Sequence, residues 1–326
     1  MESAVEVQGL TKSFGATSAL SGLDLVVPRG STVGLIGPSG AGKTTAIRMI
    51  MSILFPDSGT LRVLGCPSAV AVKNRIGYLP EERGVYRKMR VNAFLSYIGR
   101  LKGAARADVE ASAARLMTRL GLADALKAKC EDLSKGMLQR VQFVAAVINQ
   151  PDLLILDEPL GGLDPVSVRI LKEIIADEQR RGATIIFSTH VMAHAEELCQ
   201  QIVMIHQGRK VLDELMAGLR RQYYLRSIHL EPLDPAADLT ALQGIGGVQR
   251  VQLTTDGCDI RLVEGTDPAT AIRAIAALIA PARIEVSRVR LEDVFIRLVA
   301  GESGTEQSQK ALRTHLQGLA AEGATI

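Results

Sequence analysis

The chain of 326 residues has no tryptophan, and aromatic residues make up only 3% of it. Neither sign of charge dominates, because the formal net charge is +3. So small a charge over this length gives no argument for nucleic acid or an anionic membrane surface as the partner. The composition is 47% hydrophobic and 22% charged, which excludes a disordered or collagen-like chain and fits roughly two domains of ordinary size.

Long hydrophobic runs are also missing. The longest segment without a charged residue, 182–195, has 14 residues and is interrupted by polar side chains such as Thr184, Ser188 and His190, whereas a membrane-spanning helix needs about 18 or more mainly apolar residues. The first residues include Glu2 and Glu6 where a signal peptide has a basic start and an apolar run. We therefore expect no membrane span and a cytoplasmic location.

Cysteine is scarce and scattered. The four cysteines lie far apart, with spacing that fits neither a metal site nor a disulfide framework. They are Cys66, Cys130, Cys199 and Cys258. We expect reduced side chains that contribute to packing.

From the start to about residue 215, short β-rich runs alternate with helical segments. The apolar runs 32–36 and 153–156 are typical of buried parallel strands. The clearest helix is 165–181, because Asp164 can cap its start and apolar residues recur on one face. This alternation predicts a doubly wound parallel sheet of the α/β class.

Two segments depart from that alternation. The Ala-rich stretch 91–129 has apolar residues at helical spacing and predicts a mostly helical insertion. Beyond 216–223 the pattern predicts strands and helices in β-α-β-β-α-β order, as in a small ferredoxin-like domain. Its predicted strands are 224–230, 248–253, 258–263 and 282–288, its helices include 268–279 and 291–299, and 301–326 is predicted to be a frayed tail.

The segment GPSGAGKT at 37–44 carries the strongest chemical signal. It follows a predicted strand and opens a helix, where glycines let backbone N–H groups face a polyphosphate. In this pattern Lys43 reaches the terminal phosphates and Thr44 ligates Mg²⁺. A Gly-rich turn that binds nothing is the alternative. The candidate nucleotide-binding residues are Gly37, Pro38, Ser39, Gly40, Ala41, Gly42, Lys43, Thr44 and Thr45.

Two adjacent carboxylates follow the apolar run at 153–156. Asp157, at the end of a buried strand near a phosphate loop, can hold Mg²⁺ as in P-loop NTPases. Glu158 is the candidate to activate an attacking water, since general-base catalysis needs a carboxylate within hydrogen-bond reach. Taken without the phosphate loop, the pair could equally be an acidic loop at a strand end.

Ser134 stands at the start of a further predicted helix, just before the apolar run 138–148. Its hydroxyl and the neighbouring backbone N–H groups could form a second phosphate site. A simple helix cap explains the residue equally well.

Five motifs in this order resemble the ATP-binding subunits of ABC transporters. They are GPSGAGKTT at 37–45, LSKGM at 133–137, LLILDEP at 153–159, GGLDP at 161–165 and STH at 188–190. The resemblance covers residues 5 to about 215. It implies a P-loop NTPase fold with a RecA-like parallel-sheet core, an antiparallel β subdomain and a helical subdomain at about 84–150. We expect this ATP-binding domain at 1–220 and a small α+β accessory domain at 221–300.

The resemblance also implies roles for individual residues. Phe14 would stack on adenine, His190 would contact the γ-phosphate, and Asp164 would lie beside a partner's active site. Ser134 and Gly136 would complete the phosphate loop of a second subunit. Two ATP molecules would then be held in a head-to-tail dimer, made by a homodimer or by a paired ABC subunit.

The sequence departs from the common family pattern at three positions. Lys135 and Met137 replace the first Gly and the Gln of the usual LSGGQ. Glu81 replaces the Gln that contacts Mg²⁺ and water; it keeps an oxygen acceptor but loses the amide donor and adds negative charge. The segment YLPEERG around Glu81 resembles a branch of sodium- and drug-exporter subunits that carry an extra C-terminal domain.

This resemblance implies an ATPase that drives a separate integral-membrane permease. It favours export as the direction of transport and implies a location at the inner face of the cell membrane. The basic residues Arg83, Arg87, Lys88 and Arg90 precede the helical insertion and would contact the permease or form a solvated loop. The alternative is a soluble ABC ATPase without a permease, ribosome-associated or regulatory. Such proteins generally carry two ATP-binding units in one chain, and this sequence has a single GxxxxGKT.

The region after 215 offers weaker signals. The segment 220–226 mixes basic and aromatic residues, which could suggest RNA binding. Its surroundings are not basic and the tyrosines stand at a predicted strand start, so no nucleic acid is expected. The accessory domain has no catalytic constellation, and a dimerisation or packing role is favoured over a ligand-sensing one.

Overall fold

The computed structural model describes residues 2–82, 84–223, 227–263, 265–286 and 291–300. These residues divide into two units, one made of the residues up to Glu214 together with 296–300, the other of Leu215–Phe295. The sequence analysis placed the corresponding boundary at 220/221. Parts of three predicted segments, 224–226, 287–288 and 301–326, lie outside the described residues, as does Arg83.

The first unit alternates strands with helices along the chain. Its strands are β1 Ser3–Phe14, β2 Thr17–Pro28, β3 Thr32–Ile36, β4 Ser58–Val63, β5 Ile76–Leu79, β6 Leu153–Asp157, β7 Thr184–Thr189, β8 Gln201–His206 and β9 Arg209–Leu215. Its helices are α1 Lys43–Ile50, α2 Val91–Leu101, α3 Arg106–Arg119, α4 Lys135–Val147, α5 Pro165–Arg180 and α6 Met192–Leu198.

A six-stranded sheet in the order β5-β6-β7-β3-β8-β9 forms the centre of this unit. The neighbours from β5 to β8 pair in parallel. Every residue of β3, β6 and β7 is buried, as expected where helices or a second sheet cover both faces of a parallel sheet. The predicted parallel core is confirmed, and β3, β6 and β7 all end at the same edge.

A second, antiparallel sheet has the order β2-β1-β4. It presents leucines to the interior, and Leu10, Leu20 and Leu23 are fully buried. Its inner face belongs to the same hydrophobic core as β3, β6 and α1. The antiparallel β subdomain that the resemblance implies is present.

The insertion after β5 is helical, as predicted. Helices α2 and α3 cross closely because Gly99 lacks a side chain; a Cβ there would lie 2.6 Å from Val109 Cγ2. Arg119 at the end of α3 forms ion pairs with Asp177 and, at 3.4 Å, with Glu173, both on α5. Short 3₁₀ helices at Ala123–Lys127 and Cys130–Asp132 lead on to α4.

Side-chain caps fix the starts of α4 and α5. The Ser134 hydroxyl accepts a hydrogen bond from the Met137 N–H at 3.3 Å. The Asp164 carboxylate accepts one from the Ser167 N–H at 2.9 Å, and Pro165 occupies the first turn. Both predicted caps are confirmed.

The second unit contains α7 Met216–Tyr223, β10 Ser227–Pro232, β11 Val248–Leu253, β12 Cys258–Leu262, α8 Pro268–Leu278, β13 Pro281–Val286 and the start of α9 Leu291–Ala300. Its antiparallel sheet has the order β11-β12-β10-β13, the split arrangement of a ferredoxin-like fold. In place of the first predicted helix stands a 3₁₀ helix, Leu239–Gly244. Gly244 ends this 3₁₀ helix, Gly246 and Gly247 follow it, and these glycines disfavour a longer helix.

The structure also bears on the expected lack of a membrane span and of disulfide bonds. Among the helices that the structure describes, none combines the length and apolar content needed to cross a bilayer. All four cysteines carry free thiols, as predicted, and three of them are buried.

Gly77 on β5 offers a test of the core packing. A Cβ at this position would lie 2.2 Å from the Ala146 carbonyl oxygen and 2.9 Å from Leu154 Cδ1. We expect Gly77→Ala to lower the free energy of unfolding by about 1–3 kcal/mol, since an overpacked core must shift its backbone. Chemical denaturation of the full chain measures the change. Gly84→Ala is the control, because a Cβ there meets nothing within 4 Å, and an equal loss in both variants would contradict the packing argument.

Candidate active site

The loop between β3 and α1 depends on glycine at three positions with positive φ. Gly37 has φ 151°, Gly40 φ 77° and Gly42 φ 109°. A Cβ on Gly37 would lie 2.1 Å from the Ile205 carbonyl oxygen, and one on Gly42 would lie 2.5 Å from that of Ala19. The loop therefore packs against the neighbouring strands and begins α1 at Lys43 in a conformation that other residues would strain.

Lys43 is buried at the first position of α1. Its ammonium donates hydrogen bonds to the carbonyl oxygens of Gly37, at 2.8 Å, and Pro38, at 3.1 Å. Burial lowers the pKa of Lys43, and the carboxylates of Glu158 and Asp157 oppose that shift. Because an ammonium has three donors, one remains available beside the loop.

Asp157 ends β6 and is only 1% exposed. Its Oδ1 accepts a hydrogen bond from the Ser188 hydroxyl at 2.7 Å, whereas Oδ2 has no hydrogen-bond partner among the described residues. Burial raises the pKa of Asp157, Glu81 and Glu158 reinforce the increase, and the Ser188 hydrogen bond opposes it. A buried carboxylate oxygen without a partner is costly, so this atom calls for a cation or a donor.

Thr44 and Glu81 supply oxygen atoms in the same region. The Thr44 hydroxyl donates to Glu81 Oε2 at 3.5 Å, and Thr44 also lowers the pKa of Asp157. A hydroxyl and two carboxylates are the hard oxygen ligands that Mg²⁺ prefers. The donor set therefore fits a magnesium ion, with Asp157 Oδ2 as its buried member.

Glu158 adopts a left-handed backbone conformation, φ 47°, which is uncommon outside glycine. Its Oε1 accepts a hydrogen bond from the His190 N–H at 2.8 Å and lies 2.6 Å from His190 Nδ1. Its Oε2 accepts one from the Thr189 hydroxyl at 3.0 Å. Strained backbone of this kind persists where surrounding contacts fix it, and here the end of β7 does so.

Three consecutive residues at the end of β7, 188–190, thus hydrogen-bond to Asp157 or Glu158. The sequence analysis assigned a role only to His190 among them. Asp157 pairs with Ser188 in the sheet register, which brings the Ser188 hydroxyl to the carboxylate. Ser188 and Thr189 were missed as site residues. Polar residues that end an otherwise apolar buried strand were the available signal.

A cavity of about 160 Å³ lies over the loop. Its lining residues are Ala19, Ser39, Gly40, Gly42, Lys43, Thr44, Thr45, Glu81 and Glu158. The structure therefore brings the phosphate-loop candidates and two of the candidate carboxylates together. Asp157 precedes the lining residue Glu158 at the end of β6, and Ala19 had not been anticipated as a lining residue.

Among the described residues, several candidates do not line this cavity. Gly37, Pro38 and Ala41 belong to the loop itself, and His190 contacts the lining residue Glu158. The remaining four lie at the ends of other elements. Phe14 ends β1 and is half exposed. Ser134 and Gly136 lie at the start of α4, where a Cβ on Gly136 would be 3.6 Å from Leu163. Asp164 starts α5, and hydrogen bonds from the Ser167 hydroxyl and N–H lower its pKa.

Comparisons with known proteins identify the family of this chain. The family model described as ABC transporter matches residues 20–161. The ABC transporter ATP-binding protein YhaQ of Bacillus subtilis is 36% identical, over 90% of this chain and 97% of that protein. The Nod factor export ATP-binding protein I of Paraburkholderia xenovorans is 32% identical, over 92% and 98%.

The daunorubicin/doxorubicin resistance ATP-binding protein DrrA of Streptomyces peucetius is 32% identical, over 96% of this chain and 93% of that protein. Among solved structures, an ATP-binding subunit of an ABC transporter superimposes with a TM-score of 0.64 at 32% identity. The matched region covers 67% of this chain and 92% of that one. With a phosphate loop, two carboxylates and a histidine in one site, the chain belongs to the ATP-binding proteins of ABC transporters and is an ATPase of that family.

Proposed function

We propose that this ATPase hydrolyses ATP with the residues described above and powers a separate membrane permease that exports its substrate. The observation that carries the catalytic part is the buried Asp157 Oδ2, which lacks a hydrogen-bond partner among the described residues and lies in the region of Thr44 and Glu81. A site that leaves such an atom unsatisfied is built to bind a cation together with the phosphates.

Phosphate binding falls to the loop and Lys43. The start of α1 directs backbone N–H groups and the positive end of its dipole toward the loop. Lys43 already spans the loop through its bonds to Gly37 and Pro38, and its remaining donor is free to contact a terminal phosphate oxygen. Ser39, Gly40 and Thr45 complete the wall around the phosphates.

Thr44, Asp157 and Glu81 would hold Mg²⁺. When bound, Mg²⁺ neutralises negative charge on the phosphate oxygens. Glu81 is a carboxylate where the family that the chain resembles commonly has a glutamine amide. The oxygen donors therefore carry more negative charge, and neutralising that charge depends more on the cation. Ser188 orients Asp157 by hydrogen-bonding Oδ1, which leaves Oδ2 for the ion.

Glu158 acts as the general base in this proposal. Its carboxylate accepts the proton of the attacking water while the His190 N–H and the Thr189 hydroxyl keep it oriented. His190 Nδ1 lies 2.6 Å from Glu158 Oε1, which leaves the other ring nitrogen for the γ-phosphate contact that the resemblance implies. His190 thereby links the base to the presence of the terminal phosphate.

Replacing the base tests the catalytic proposal. We expect Glu158→Gln to reduce kcat by about a hundredfold or more, because an amide cannot accept the proton, while ATP binding persists. Phosphate release measures turnover, and size-exclusion chromatography with ATP measures accumulation of an ATP-bound dimer. Glu82→Gln is the control, since Glu82 is an exposed partner of Arg48. Unchanged hydrolysis in Glu158→Gln would rule out Glu158 as the base.

A binding measurement tests the magnesium site. Asp157→Asn keeps the shape of the side chain but removes the charge that would face the ion. We expect the Mg²⁺ concentration for half-maximal ATP binding to rise about tenfold or more, as for a lost hydrogen-bonded charge. Titration calorimetry with a non-hydrolysable ATP analogue supplies the readout. Asp152→Asn, on an exposed ion pair with Arg75, serves as control, and equal Mg²⁺ dependence in both variants would contradict the assignment.

The dimer is part of the same proposal. Ser134 and Gly136 begin α4, Asp164 begins α5, and these three residues do not line the chain's own phosphate cavity, as far as it is described. We infer that they act on ATP held by a second subunit, identical or paired. Lys135 is exposed within this segment and adds a positive charge there.

Export through a permease rests on relatives and on one surface. The named relatives include a Nod factor export protein and a drug resistance protein. Beside the helical insertion, Tyr86 and Tyr97 are 55% and 44% exposed and meet edge to face at 5.5 Å. Exposed paired aromatics beside the basic residues Arg87 and Lys88 suit a protein partner, and the permease would hold the chain at the inner face of the membrane.

Removal of this aromatic pair tests the permease contact. We expect Tyr86→Ala with Tyr97→Ala to leave basal ATP hydrolysis within about twofold, because neither ring lines the phosphate cavity, and to reduce the membrane-bound fraction of the chain strongly. Fractionation of cells that express the chain measures that fraction. Val26→Ala, an exposed apolar residue on β2, is the control. Co-sedimentation with ribosomes, and no membrane association in any variant, would favour the soluble alternative.

The accessory unit completes the proposed division into an ATP-binding domain, 1–220, and an accessory domain, 221–300. Among the described residues of this unit, no group of three or more histidine, cysteine, aspartate or glutamate side chains is arranged to hold a metal ion. Polar contacts join His229, Asp259, Glu231 and Arg283 on its sheet. We therefore propose a packing or dimerisation role for it.

A further inference from the structure

The side chain of Phe14 has few contacts that would hold its ring in the orientation that stacking on a base requires. It is the last residue of β1, and half of its side chain is exposed. A side chain in that position has rotational freedom that base binding must remove. Something outside the hydrophobic core must therefore orient the ring.

Lys12 supplies one restraint. It lies two residues before Phe14, on the same side of β1, because side chains alternate along a strand. Its ammonium lies over the Phe14 ring, 5.7 Å from the centroid, which is within cation–π range. One face of the ring is thereby occupied, and the opposite face is left for another planar group.

Asp57 holds Lys12 in this position. Its Oδ1 accepts a hydrogen bond from the Lys12 ammonium at 2.7 Å, and its Oδ2 accepts one from the Ser13 N–H at 2.7 Å. The Asp57 N–H donates to the Thr11 carbonyl oxygen at 3.0 Å. The Lys12 and Ser13 hydrogen bonds lower the pKa of Asp57, so the carboxylate is charged. One aspartate thus fixes three consecutive residues that lead to Phe14.

The sheet itself explains why this anchor is needed. The pairing of β1 with β4 shifts register after Gln8 and has its last partners at Thr11 and Ser58. Gly59 contributes to the shift, since a Cβ there would lie 2.5 Å from the Gly9 carbonyl oxygen. On this edge, Ser13 lies beyond the β4 ladder, and the Asp57 side chain replaces the missing ladder bond.

We propose that Asp57 and Lys12 are positioning residues for the base of the bound nucleotide. Asp57 fixes Lys12, Lys12 closes one face of the Phe14 ring, and the other face is presented to a purine. This inference depends on the stacking role that the resemblance to ABC ATP-binding subunits implies for Phe14, and it extends the proposed ATP binding. It adds a specificity: the wide π-surface of adenine gains more from a fixed ring than the smaller surface of a pyrimidine does.

Steady-state kinetics with ATP and CTP test the proposal on the full chain. We expect Lys12→Met to raise KM for ATP about two- to fivefold with little change in kcat, the size of an exposed cation–π contact. The KM for CTP changes less, so discrimination between the two nucleotides narrows. Asp57→Asn also raises the KM for ATP more than the KM for CTP. Lys12→Arg keeps both KM values near those of wild type, because a guanidinium also stacks on an aromatic ring.

Two reference variants separate the possible outcomes. Phe14→Ala should raise KM for ATP about fivefold or more, the loss of a base stack, and Lys12→Met should add nothing in that background. Arg75→Gln, which breaks an exposed ion pair with Asp152, should leave both KM values unchanged. Thermal unfolding of each variant identifies any variant that has lost its fold. If Lys12→Met or Asp57→Asn has lost its fold, Lys12→Arg is compared with wild type. A KM for ATP that differs between these two proteins overturns the proposal, and an equal KM supports it.

If Phe14→Ala leaves KM for ATP unchanged, the stacking role fails, and the positioning role fails with it. If Phe14→Ala raises KM but Lys12→Met and Asp57→Asn do not, only the positioning role is overturned. An equal effect of Lys12→Met with and without Phe14 also overturns it, because Lys12 would then act independently of the ring. A KM increase that requires Phe14 supports the proposal.

Discussion

The hydrogen bond between the Ser188 hydroxyl and Asp157 Oδ1 is the constraint on which the site depends. It forms because β6 and β7 are parallel neighbours and Asp157 is in register with Ser188. The same pairing places Glu158, the residue after Asp157, within hydrogen-bond distance of the Thr189 hydroxyl and the His190 N–H, which follow Ser188. A single strand pair therefore positions both carboxylates, and β3 on the other side of β7 delivers the phosphate loop to the same edge.

This arrangement is costly in the absence of nucleotide. Asp157 and Lys43 are both buried, Glu158 has a left-handed backbone, and one carboxylate oxygen is left without a hydrogen bond in the described structure. An unsatisfied buried polar atom costs about 1–3 kcal/mol, more when it is charged. The remaining core offsets that cost, since every residue of β3, β6 and β7 is buried. In the proposed function, binding of a cation and phosphates would relieve that cost, and the site would be preorganised in this sense.

Local features were predictable from sequence because neighbouring residues determine them. The strand at 32–36, the caps Asp164 and Ser134, and the glycine-dependent phosphate loop all follow from short patterns, and each is present. Contacts between distant residues were not predictable. Ser188 meets Asp157 only through sheet register, and Lys12 meets Asp57 only because β1 pairs with β4. The 3₁₀ helix Leu239–Gly244 replaced a predicted helix because glycines shorten the segment, a balance that a pattern of strands and helices does not reveal.

The two ends of the proposed nucleotide site belong to different sheets that share one core. Phe14 lies on the antiparallel sheet, whereas the phosphate loop follows β3 of the parallel sheet. Leu10 and Leu25 of the first sheet pack in the same hydrophobic cluster as Leu35 and Ile155 of the second. The base and phosphate ends are thus fixed relative to each other by close packing, which deforms little. The helical insertion is attached to this core partly by polar contacts, such as the Lys102 ammonium on the Ile76 carbonyl oxygen at 2.8 Å. Polar contacts exchange partners at lower cost than packed side chains separate, so movement that follows nucleotide binding should concentrate in the insertion rather than between the two sheets.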